Sequence, residues 1–146
     1  MNKKQYGFTL LEILIVMVII GILATILFFN FNAQLQKTRL RNAVTILSSD
    51  LERARSVSWR SGQNTKVQLL SNRTGYTYQQ GGSSSTVIFP DGVTASLSPT
   101  SLANAISYSA PFADTGAISG TFTLEAANPS YTSTIRVIGV TGKVIR

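Results

Sequence analysis

Three patterns of apolar and polar positions divide the chain. From Phe8 to Phe29 the residues are almost continuously apolar, and Glu12 is the one ionisable side chain among them. At 1.5 Å per residue a helix over that stretch reaches about 33 Å, enough to cross a hydrocarbon core of about 30 Å. Further along, Leu40, Val44, Leu47, Leu51 and Ala54 recur at alternating steps of four and three, the stripe of a helix with one covered face. No glycine or proline interrupts residues 25–61, so one helix over 9–60, about 75 Å long, is expected, with Ser61-Gly62 as its stop.

Past Gly62 the period shortens to two. Strands are expected at residues 65–70, 76–80, 86–89, 93–97, 105–109, 118–126, 132–140 and 143–146. Phe122, Leu124 and Ala126 alternate with Thr121, Thr123 and Glu125, as in a half-buried strand. Pro90-Asp91-Gly92 reads as a turn, and Thr141-Gly142 reverses the chain into the last strand, with Val140, Val144 and Ile145 packing in the head. The serines of 81–85 and 96–101 read as loops. The expected fold class is α+β, a long N-terminal helix on a mainly antiparallel β-rich head.

Composition narrows the chemistry. The 146 residues hold no Cys and no His, so thiolate or imidazole ligands and the usual general base are missing. The six Asp and Glu are scattered, which argues against a carboxylate metal cage or an acid pair. No catalytic residue, cofactor or metal site is expected. Thirteen Lys and Arg give a net charge of +7. Lys37, Arg39 and Arg41 have no acid at helical spacing, and lipid phosphates or the acids of a neighbouring chain are both open to them. Asp50 with Arg53, and Glu52 with Arg55, stand three apart and read as solvated surface pairs.

The N-terminus is the informative part. A secretory signal has a shorter apolar region followed by a small-residue cleavage site, and Leu23-Ala24-Thr25 is a poor one. A plain anchor explains the length and Lys3-Lys4, but not Glu12. A carboxylate in a membrane helix costs about 3 kcal/mol when central, less near an end, and calls for a partner. Glu12 would occupy the first helical turn, where the dipole favours negative charge.

Gly7-Phe8-Thr9-Leu10-Leu11-Glu12, running straight into the apolar stretch, resembles the type IV prepilin signal. The resemblance implies cleavage between Gly7 and Phe8 by a membrane prepilin peptidase and N-methylation of Phe8. It also implies assembly through the helix, with Glu12 meeting the amine of an adjacent subunit. The implied domains are a leader at 1–7, a transmembrane and assembly helix at 8–29, its amphipathic continuation at 30–60 and a head at 61–146. Implied partners are other pilin or pseudopilin subunits, the peptidase, an inner-membrane assembly platform and membrane lipid. The implied location is the bacterial inner membrane with the head outside the cytoplasm, then a cell-surface or periplasmic filament. The chain departs from the pattern in having no proline near residues 27–30.

Asp50-Leu51-Glu52-Arg53-Ala54-Arg55-Ser56, the β-rich head and the closing Gly142-Lys143 look like the GspH/FimT group of minor pilins and pseudopilins. Some members of that group are similar to DNA receptors with a basic tail. Arg136, Lys143 and Arg146 are the corresponding candidates here, for phosphate contact without sequence choice. The alternatives are thus a structural filament subunit, a filament-borne DNA receptor, and a membrane-tethered receptor that never polymerises.

Overall fold

The structure, a computed structural model, describes residues 8–128 and 130–146, with the side chains of residues 26–30 outside that description. Among the described residues one α-helix, α1, spans Leu10–Ser61, and eight strands follow. Thr9 caps α1: its hydroxyl accepts the Glu12 amide at 3.2 Å and its carbonyl accepts the Ile13 amide at 3.3 Å. Gly62, at φ +64°, ends the helix in the left-handed conformation that glycine adopts without a Cβ clash. The described chain forms two compact units, Met1–Leu35 and Gln36–Arg146.

In the first unit α1 is apolar on all sides. Consecutive residues from Ile13 to Ile20 are each about half exposed or more, so no side of the helix is covered. Thr25 donates its hydroxyl hydrogen to the Gly21 carbonyl at 2.9 Å, which removes one unmatched donor from this surface. Among the described residues no helix is long and apolar enough to cross a membrane. The expected span includes Leu27, Phe28 and Phe29, whose side chains lie outside the described residues.

The second unit carries the core. Leu40, Val44, Leu47, Leu51 and Ala54, the stripe read from the sequence, are all buried, and Ala43 joins them. Two antiparallel sheets share their cluster. The strands β1 (Thr65–Leu69), β2 (Gly75–Gln80), β3 (Ser83–Ile88) and β5 (Ala105–Tyr108) form one sheet in the order β3-β2-β1-β5. The other holds β4 (Thr94–Ser98), β6 (Gly120–Glu125), β7 (Thr132–Val137) and β8 (Val144–Ile145), in the order β4-β6-β7-β8. Val67, Tyr76 and Ile106 come from the first sheet, and Leu97, Phe122, Leu124 and Ile135 from the second.

Polar ties join helix and sheet inside this unit. Ser58 donates to the Tyr108 carbonyl at 3.2 Å, and Thr65 to the Ala54 carbonyl at 3.0 Å, so two buried hydroxyls are satisfied. The Tyr76 hydroxyl donates to Asp50. Desolvation, that hydrogen bond and the Asp50 charge all push the Tyr76 phenol well above its ordinary value. Arg53 lies over the Tyr78 ring at 5.7 Å, and Arg55 donates to the Thr141 carbonyl at 3.0 Å. The charged side chains read as surface pairs thus reach into the head.

Several strand expectations shift. The run Ser83-Ser84-Ser85 belongs to β3 and not to a loop, because Gly81 and Gly82 make a two-residue hairpin turn with φ +51° and +91°. Ser96 and Ser98 likewise lie in β4. Val140 is 74% exposed and Ile145 43% exposed, against the expectation that both pack in the head, whereas Val144 rests against the core. Val140 sits in the turn that leads to Gly142, and Ile145 pairs with exposed Arg136, so neither residue faces inward.

Candidate functional site: a capped apolar helix and a cationic aromatic cleft

The N-terminal candidates depend on how α1 begins. Phe8 and Thr9 precede the helix, and Phe8 is 81% exposed. Glu12 follows the cap by three positions, in the first turn. Thr9-Leu10-Leu11-Glu12 has the Thr-x-x-Glu form of a capping box, a signal carried by the sequence itself. The cap holds the backbone at Glu12 while its carboxylate sits at the positive end of the helix dipole. Gly7, the other flank of the expected cut, lies outside the described residues.

The three candidate cations of the head occupy different places. Arg136 projects from the exposed face of β7, directly opposite Ile145 of β8. Arg146 is the exposed last residue. Lys143 lines a cleft of about 460 Å³ together with Arg55, Arg60, Glu52, Trp59 and Phe112. Sequence reasoning missed this cleft, because its aromatic walls come from the end of α1 and from a loop far along the chain.

Tyr108, at the end of β5, is fully buried, and its hydroxyl has no hydrogen-bond partner among the described residues. Burial pushes its phenol above the ordinary value, with Arg55 opposing and Glu52 adding to the shift. Other hollows occur in this unit. One of about 530 Å³ is lined by amides and hydroxyls around Lys66, and one of about 460 Å³ lies beside Lys37, which sits 5.0 Å over the Tyr131 ring. Among the described residues no cluster of His, Cys, Asp or Glu could hold a metal ion.

The described residues thus combine an exposed apolar helix with a capped acidic start and a helix-backed antiparallel head. Comparison with known proteins agrees at both ends of that description. Residues 2–28 match the prokaryotic N-terminal methylation motif. The fold is similar to that of the type IV minor pilin FimU of Pseudomonas aeruginosa strain PAO1 in two crystal forms. In one, the TM-score is 0.57 at 15% identity, covering 74% of this chain and 87% of that one. In the other it is 0.53 at 17% identity, covering 73% and 90%. The sequence matches no curated protein.

Proposed function

We propose that this chain is a minor subunit of a type IV pilus or related secretion filament, made as a precursor and assembled through its N-terminal helix. The leader at 1–7 is removed after Gly7, Phe8 is N-methylated, and residues 8–29 hold the subunit in the inner membrane until it joins the filament. The head stands outside the cytoplasm.

The observation that carries this reading is the uncovered apolar surface of α1. Leu10, Leu11 and the residues from Ile13 to Leu23 are exposed along successive turns, interrupted only by Glu12 and Gly21. Covering each large apolar side chain is worth about 1.5–3 kcal/mol, so a surface of this size has to be met by lipid or by other helices. Glu12 is the exception that gives the assembly its register. Inside a bundle of such helices its carboxylate needs a positive partner, and the methylated amine at Phe8 of a neighbouring subunit has the right charge.

A minor place in the filament is supported by the GspH/FimT-like pattern and by the likeness to a minor pilin. The DNA-receptor alternative gains less support. Arg136 and Arg146 stand apart from the cleft that holds Lys143, and Glu52 lies within that cleft.

The test is Glu12→Ala in a host that assembles such filaments. The membrane-bound amount should be unchanged, while the amount in sheared filaments falls by an order of magnitude. Normal incorporation of the variant would contradict the role given to Glu12.

A further inference from the structure

We infer that the cleft beside the C-terminal end of α1 docks an acidic, apolar-tipped segment of a different protein subunit. Trp59 is 71% exposed and Phe112 79% exposed, yet both wall one cleft with Arg55, Arg60 and Lys143. Large aromatic side chains this exposed are uncommon on a well-packed head. Trp and Arg are also the residue types that dominate binding energy at protein interfaces.

The cleft is built in advance. Arg55 is held by the Thr141 carbonyl at 3.0 Å. The loop carrying Phe112 is fastened at its base by the Ala113 amide on the Ser109 carbonyl at 2.7 Å. It is joined to the turn before β8 by the Thr115 amide and hydroxyl, each 2.9 Å from the Gly139 carbonyl. Gly142, at φ +60°, lets that turn close on the loop, since a Cβ there would stand 2.3 Å from the Ala113 carbonyl oxygen. A loop backbone held in place this way loses little freedom on binding.

Charge selects the occupant. Three cations against Glu52 call for a negative partner. A second copy of this chain suits the cleft less, because its acids are single and scattered, exposed Asp91 and Glu125 among them. Glu12 is in the first turn of α1, Asp50 lies under Tyr76, and Asp114 belongs to the loop beside the cleft. Asp91 lies beside Arg39, whose guanidinium binds its carbonyl, and Glu125 shares a hollow with Arg73. A nucleic acid strand fits less well, because the cations surround one cleft that includes a carboxylate and do not track along a groove. The filament reading is used here only to say where the partner comes from.

The experiment uses the full-length protein in its filament-forming host, with the photoreactive residue p-benzoylphenylalanine in place of Phe112 and, as a control, Thr134 on the outer face of β7. Irradiation should give an adduct at position 112 at least tenfold above the control. Mass spectrometry should place it on an acidic segment of a different pilin-type subunit. Arg60→Glu combined with Lys143→Glu should lower that yield about tenfold, and both side chains are exposed, so the head stays folded. An adduct with a second copy, a nuclease-sensitive adduct, or no excess over Thr134 would overturn the inference. The sheared-filament fraction of the same cells separates the two proposals. If the chain is present there without the adduct, the docking site alone fails. If it is missing from filaments and gives no adduct, both fail.

Discussion

Tyr76 and Tyr108 are both fully buried, but their hydroxyls have opposite circumstances, and this allows the same atom to be removed from each with different results. In Tyr76→Phe the Asp50 carboxylate loses its phenolic donor. A hydrogen bond to a charged group is worth about 1.5–3 kcal/mol, and half-buried Asp50 regains some solvation from water, which puts the cost near the lower limit. Tyr108→Phe removes a hydroxyl with no partner among the described residues, so its cost should lie within about 0.5 kcal/mol of zero. At roughly 4 °C per kcal/mol for a unit of this size, Tyr76→Phe should lower the melting temperature by about 6 °C. Tyr108→Phe should shift it by no more than about 2 °C. Thermal unfolding of the full-length protein in detergent, followed by near-ultraviolet circular dichroism, provides the readout. Equal losses for the two variants, or a larger loss for Tyr108→Phe, would refute the reasoning.

Other expectations follow from the same geometry. Leu47→Ala should destabilise the head by about 2–5 kcal/mol, whereas its exposed neighbour Ile46→Ala should stay within about 0.5 kcal/mol, both measured by denaturant titration. Gly142→Ala combines a left-handed backbone with a collision at Ala113, and limited proteolysis should find residues 109–116 cut far faster in that variant. Stability should also fall at high pH. Because Tyr76 and Tyr108 keep their protons in the folded state while the unfolded state ionises near pH 10, their contribution is complete below that pH and declines above it. Each adds about 1.4 kcal/mol per pH unit to the decline. Chemical denaturation at pH 9 and pH 11 should show the loss, and Tyr108→Phe should make it shallower.

The helical half of the fold was legible because a period of four and three reports which side of a helix is covered. Leu40 through Ala54 carry that signal without ambiguity, and every member of the stripe is buried. The strand half was less legible. β3 is an edge strand whose residues from Ser83 to Thr86 are exposed, so it shows no alternation of apolar and polar positions. The strand expected at residues 86–89 overlaps its end, and only the Gly81-Gly82 turn and the pairing with β2 reveal Ser83-Ser84-Ser85. The division into two sheets depends on pairings such as β1 with β5 and β4 with β6, which local patterns do not encode. The same limit applied to the candidate sites. Glu12 stood out because an acid in an apolar run is conspicuous. Trp59 and Phe112, distant in sequence and each unremarkable alone, become a site only when the chain is folded.

The mass of the mature N-terminus tests the central claim most directly. Protein isolated from the membranes of a host with an active prepilin peptidase should begin at Phe8 and carry one added methyl group on its amine. A chain that retains Met1, or one cut after the apolar stretch as a secretory signal is cut, would contradict the account.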